Sequence, residues 1–361
     1  MTVEETKLDD EILVADEPDE SEVYVAYDIA TYPSDLTLKV VQDMWNAGEI
    51  VVPDFQRNYV WSIKQASLLI ESFLMGLPVP QVFFYVDDDN LNQVIDGQQR
   101  IISIIYFLEG YFGTESSQGK KQVFRLQGLS EDNPFAKKRY EDLSDVHQRK
   151  LKSSVLRAIN IRQLKPAHET TSVYHIFERL NTGGTPLKPQ EIRNCVFRGE
   201  LVRILRALNG NENWRAIIGK SVPDRHQKDV ELILRIFALS YSFTEYGKPM
   251  KEFLNRIMQR EKEGNSPDVR SFQSSFLRAS ETIASILGPM PFHIRGPLNA
   301  SALDAVFATI INGLDHIPAD LNKRYARLIE DKEFIDTTFY STSDLSVVKR
   351  RFSVANNYLL G

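Results

Sequence analysis

Leu36, Val40, Val41, Met44 and Trp45 recur at helical spacing, and Gly48 ends the run, so the chain becomes globular from Leu36 with a first helix. Val51-Val52-Pro53 starts an extended or loop segment. A second helix is predicted over Lys64–Met75, with Ala66, Leu69, Ile70, Phe73 and Leu74 on its buried side. Gly76 supplies its stop, and Pro78 and Pro80 prevent continuation. Val82–Val86 reads as a buried strand, Asp87–Asn90 as a turn, and Gln93–Ile95 as the return strand of a hairpin. From Gln98 to Leu108 the chain is almost continuously apolar, which predicts a helix buried on most sides.

Residues 113–122 are rich in Gly, Ser and Lys and read as a loop. Val123–Leu126 and Val155–Ile161 are strand candidates, and Thr170–Leu180 is a predicted helix that stops at Asn181-Thr182-Gly183-Gly184. Beyond Pro189 strand signals fade. Helical patterns fill 189–198, 200–208, 227–244, 249–262, 268–287, 299–313, 319–331 and 343–360. The pattern gives an α+β protein: an acidic disordered arm over 1–35, a mixed domain over 36–198 and an all-α domain over 199–361.

Charge sharpens that division. The first 35 residues hold twelve acids against Lys7, a net of −11, so the whole-chain charge of −6 leaves +5 for the body. A mildly basic body is compatible with a nucleic-acid partner, and the arm reads as a solubilising segment. No run approaches the roughly 18 apolar residues that span a bilayer, and the acidic N-terminus lacks an apolar signal segment. Cys195 is the single cysteine, which excludes an internal disulfide framework and a cysteine zinc finger. The expectation is a cytoplasmic protein of a reducing compartment with no membrane partner. The six histidines show no metal-ligand spacing, and there is no Gly-x-x-x-x-Gly-Lys-Ser/Thr loop.

The chemistry concentrates in Val94-Ile95-Asp96-Gly97-Gln98-Gln99-Arg100. A strand ends, a glycine turns the chain, and a buried helix opens on two amides and a guanidinium. The free N–H groups and positive dipole end of a helix's first turn favour an anion. Gly97 lets backbone approach a phosphate, and Arg100 can grip its oxygens with two parallel hydrogen bonds. Gln98 or Gln99 can orient an attacking water without a shifted pKa. Asp96 repels a polyphosphate directly, so its expected task is to hold Mg²⁺. The bland alternative, Asp96 as helix cap and Arg100 as a surface ion pair, is weaker for the full run than for Asp-Gly alone.

Two further segments add to this. Gln56 and Arg57 lie among Phe55, Tyr59 and Trp61, a stretch that can stack a base and add a second phosphate-binding arginine; Phe55 and Trp61 fit core plugs better, and Arg57 is the functional candidate. Asn181-Thr182-Gly183-Gly184 offers consecutive N–H groups that can cup an anion; taken alone it fits a helix end and turn better.

Phe55-Gln56-Arg57 with Trp61, Gly76–Pro80, Ile95–Arg100 and Arg179–Gly184 follow one another in an order that resembles the N-terminal domain of GmrSD-type modification-dependent restriction enzymes. The resemblance covers roughly residues 36–200. It implies a ParB/sulfiredoxin-like fold followed by helices, and a nucleotide pocket in which Asp96, Gly97, Gln98, Gln99 and Arg100 are central to NTP hydrolysis. It also implies a role in defence against phage or other foreign DNA. Many relatives continue into a His-Asn-His nuclease domain, whereas no histidine follows His316 here. The leading expectation is an Mg²⁺-dependent nucleoside triphosphatase or nucleotide switch that regulates a DNA-directed activity with a separate nuclease effector. The alternatives are a nucleotide-dependent DNA clamp with little turnover and, ranked below it, an Mg²⁺-dependent nuclease.

Overall fold

The computed structural model describes residues 14–15, 28–52, 59–87, 89–113, 121–165, 171–180, 188–224 and 226–361. The chain divides into two compact units, one over 26–186 and one formed by 187–361 together with 1–25. In the second of these, the short strand β1 (Val14–Ala15) pairs in parallel with a strand at Leu298–Asn299.

The mixed unit contains β2 (Asp28–Thr37), α1 (Leu38–Asn46), β3 (Ile50–Val51), α2 (Ile63–Met75), β4 (Val82–Val86), β5 (Asn92–Asp96) and α3 (Gln98–Glu109). There follow β6 (Tyr111–Phe112), β7 (Gln122–Val123), α4 (Asp145–Ser153), β8 (Val155–Lys165) and α5 (Thr171–Leu180). The main sheet runs β2-β8-β4-β5-β3, with antiparallel β2/β8 and β4/β5 pairs and parallel β8/β4 and β5/β3 pairs. Side chains alternate across such a sheet. Val82, Phe84, Val94, Leu156 and Ala158 face the core shared with Leu38, Val41, Ile70, Phe73, Ile101, Ile104 and Ile105 of α1, α2 and α3. Apolar burial is therefore what clamps these helices to one face.

Helix boundaries follow local chemistry. Ser62 and Gln65 form a reciprocal cap on α2: Ser62 Oγ accepts from Gln65 N–H, and Gln65 Oε1 accepts from Ser62 N–H at 2.9 Å. The Lys64–Met75 expectation thus holds within one residue, as do Val82–Val86 and the helix from Gln98. Val123–Leu126 does not form the expected strand: only Val123 joins the short β6/β7 hairpin.

The expected acidic arm over 1–35 needs a correction at its end. Asp28–Asp35 belong to β2, which pairs along its length with β8. Its acids and Pro33 mimic a tail, but β2 is an edge strand, where proline and exposed charge are tolerated. The two compact units divide at 186/187.

The helical unit holds α6 (Pro189–Val196), α7 (Glu200–Asn209), α8 (Glu212–Ile218), α9 (Lys228–Tyr241), α10 (Met250–Arg260) and α11 (Pro267–Leu287). After β9 (Leu298–Asn299) come α12 (Ala300–Asn312), α13 (Leu321–Glu330), α14 (Lys332–Phe339) and α15 (Leu345–Leu359). α12 is buried on all sides from Ala300 to Ile311. α6 is tied in by buried Arg193, whose Nε donates to Asn255 Oδ1 at 2.9 Å and whose Nη1 meets Glu231 Oε2 at 2.8 Å. This is why α6 groups with the helices rather than with the sheet. Among the described residues no helix is long and apolar enough to cross a membrane.

Candidate functional site

The end of β5 is irregular. Phe84 pairs with Val94, yet Phe83 pairs with Asp96, so Ile95 is an extra residue in its strand. Strict alternation would put Asp96 on the core face with Val94. The bulge instead sets it opposite Phe83, on the face turned away from the core. Gly97 then takes φ +97° and caps α3 without a side-chain bond, and Ile101 N–H closes the first helical bond on the Gly97 carbonyl at 3.0 Å. A Cβ at Gly97 would lie 2.3 Å from Val82 Cγ1 and 3.2 Å from Arg100 Nη2. Glycine is required here both for the left-handed backbone and for the space that the guanidinium uses.

Arg100 stands one turn on from Asp96. Its Nη2 donates to Asp96 Oδ2 at 2.8 Å and to the Gln81 carbonyl at 3.0 Å. Its buried Nε has no hydrogen-bond partner. Asp96 and Arg100 lie in the wall of a cleft of about 640 Å³, together with Pro78, Val79, Pro80, Gln81, Phe83, Val155 and Arg157. The wall of the cleft thus combines apolar residues with two guanidinium groups and a carboxylate. Both the size and this mixture suit a small polar ligand.

The two glutamines diverge. Gln99 Oε1 accepts from Val60 N–H at 3.0 Å and Trp61 N–H at 3.2 Å. Its main-chain carbonyl accepts from Ser103 Oγ at 2.6 Å, and Ser103 Oγ lies 2.7 Å from Tyr59 Oη. Tyr59 packs edge-on against Tyr106, and burial pushes its phenol up to about 12. The Gln99 side chain therefore fastens residues 60 and 61 to α3, Ser103 holds Tyr59, and the Gln99 carboxamide oxygen is already engaged. Gln98 Nε2 is buried without a partner. Neither glutamine lines the cleft that holds Asp96 and Arg100.

Gln56, Arg57, Asn181, Thr182, Gly183 and Gly184 lie outside the described residues. For the expected Mg²⁺ on Asp96, the donor set is small. One Asp96 oxygen is bonded to Arg100, and among the described residues no group of three or more His, Cys, Asp or Glu is gathered. This does not fit a resident metal. Mg²⁺ that arrives already bound to phosphates remains compatible with a single carboxylate.

Arg157 was not singled out from sequence. It occupies the position between Leu156 and Ala158, both fully buried, in the run Val155–Ile161. An arginine between two apolar residues of a strand was the available signal, because period-two alternation puts it on the face opposite theirs.

Residues 38–198 match the family model described as GmrSD restriction endonuclease, N-terminal domain. That segment belongs to this domain family. The match starts at the first residue of α1 and ends just after α6, so it includes the whole Asp96–Arg100 turn and leaves out β2. No curated protein matches the chain.

Proposed function

We propose that the GmrSD-type segment is a nucleoside-triphosphate-binding and hydrolysing module that regulates a restriction-type defence against foreign DNA. Its scaffold is read as ParB/sulfiredoxin-like. The observation that carries the reading is the bulge-and-glycine turn, which brings Arg100 and Asp96 into the wall of a half-apolar cleft. Apolar Pro78, Val79, Phe83 and Val155 suit the nucleoside, and the guanidinium groups of Arg100 and Arg157 suit its phosphates.

In this mechanism the Arg100 guanidinium is held through Nη2 by Asp96 and the Gln81 carbonyl, and Nη1 is the nitrogen that reaches phosphate oxygens. The uncapped first turn of α3 adds its positive dipole end. Neither Gln98 nor Gln99 lines the cleft, so neither is assigned the task of orienting water there. Gln99 acts as a positioning residue, because it holds the chain just after Gln56 and Arg57 beside α3. Mg²⁺ is treated as part of the triphosphate substrate. DNA and a separate nuclease effector are the proposed partners.

Phosphate release from ATP, GTP, CTP and UTP, with and without DNA, tests the proposal. Turnover in the wild type that Arg100→Ala abolishes is the expected result. Absence of turnover with all four, in both proteins, removes the hydrolase claim. One observation favours a second reading, a DNA clamp that binds nucleotide without cleaving it: the Gln99 carboxamide oxygen is spoken for by backbone. DNA affinity at two salt concentrations, with and without nucleotide, separates the two.

A further inference from the structure

Arg157 and Asp35 stand directly opposite one another on β8 and β2. Arg157 Nε meets Asp35 Oδ1 at 3.0 Å and Nη2 meets Oδ2 at 3.3 Å. Both side chains are more than half exposed. The same Arg157 lines the cleft with Arg100, whereas Asp35 is not part of the cleft wall. The guanidinium therefore straddles two environments. Two of its nitrogens hold a carboxylate on the outer strand, and Nη1 takes no part in that pair.

An exposed cross-strand ion pair adds little to stability and exchanges readily, because water screens the attraction and two long side chains lose freedom in holding it. A polyphosphate in the cleft offers more negative charge than one carboxylate, and it meets Arg100 as well as Arg157. It also matches the planar fork as well as a carboxylate does. We infer that Arg157 is a second phosphate-gripping residue of the cleft and that Asp35 is its internal competitor, released when an anion binds. The inference rests on the reading of the cleft as a phosphate site and adds a specific consequence. Removing the acid strengthens ligand binding, while removing the base weakens it.

The test is calorimetric titration of the full chain with inorganic tripolyphosphate and with ATP, adenosine serving as the uncharged control. Arg157→Gln is expected to weaken both anions about tenfold, with partial recovery in Arg157→Lys. Asp35→Asn is expected to tighten both by about threefold or more, and adenosine binding stays unchanged in every variant. A role confined to clipping β2 onto β8 predicts the opposite sign for Asp35→Asn, so weakened binding there overturns the inference. So does wild-type affinity in both variants while Arg100→Ala still loses the ligand; that result leaves the phosphate reading standing. If wild type binds neither anion, the phosphate reading falls and this inference falls with it. Thermal melts of each variant show whether the fold is retained.

Discussion

The same chemical pair, arginine with aspartate, occurs in both units and does different work in each. In the helical unit Arg215 meets Asp229 at 2.7 Å, with side chains 9% and 0% exposed. Asp229 Oδ2 also accepts from Asn209 Nδ2 and from Asp224 N–H, while Arg215 Nε donates to the Lys220 carbonyl. Arg235 meets Asp304 through Nε and Nη2 at 2.9 and 2.6 Å, again with 9% and 0% exposure. In the mixed unit Arg100 and Asp96 are 16% and 38% exposed, and Arg157 and Asp35 are 61% and 52% exposed. Distances are similar throughout, so distance does not separate the groups. Water access does. A buried pair is locked because an unpaired charge is intolerable there, whereas a pair at a cleft wall can trade its acid for another anion.

The largest effect that sharpens this contrast is Asp304→Ala. It removes the carboxylate that meets the buried Arg235 guanidinium through two nitrogens and should cost about 3–5 kcal/mol of folding stability in chemical denaturation. Replacing both residues together by apolar side chains of similar volume should recover most of that loss. If Asp304→Ala melts like wild type, burial is not what distinguishes the two groups. Next comes Arg100→Ala, expected to lose on the order of 2–5 kcal/mol of nucleotide binding by calorimetry while the fold survives, with Arg100→Lys intermediate. Normal nucleotide affinity in Arg100→Ala would reduce Arg100–Asp96 to a surface clip.

Gly97→Ala attacks the turn itself. The left-handed backbone and the 2.3 Å approach to Val82 predict destabilisation of about 1–3 kcal/mol, read from the melting transition. A melting temperature equal to wild type would show that the turn has another accessible shape. The smallest effect is expected at Asp35. Its hydrogen bonds to Arg157 hold the carboxyl below its ordinary 3.8. The folded value lies below the unfolded one, so the pair's contribution is present above pH 3.8 and disappears as pH falls through the folded value. The Asp35 carboxyl resonance should titrate below 3.8 and return toward it in Arg157→Gln. An unmoved midpoint in that variant would mean that the pair does not form in solution.

Most helices and the β4–β5 hairpin were readable from period and punctuation. Lys64–Met75 carries its own cap in Ser62 and its own stop in Gly76. The helical half declares itself through repeated apolar faces, and only short α8 and α14 escaped, since two turns give little periodicity. β2 was hidden because an edge strand tolerates the acids and proline that mark a tail. Within the candidate site, the Asp96–Arg100 turn stood out because polar residues open an otherwise Ile- and Phe-rich helix.

The sequence by itself determined where this polar turn lies, that glycine occupies its hinge, and that an arginine follows one helical turn after an aspartate. Those are local properties, written in neighbouring residues. Only the tertiary structure decided which way Asp96 faces, since that depends on one extra residue in the pairing of two strands. It also decided that Gln99 serves the backbone of residues 60 and 61, and that Arg157, nearly sixty positions downstream, shares a wall with Arg100. Such relations arise from register and packing between distant segments, and no local pattern encodes them.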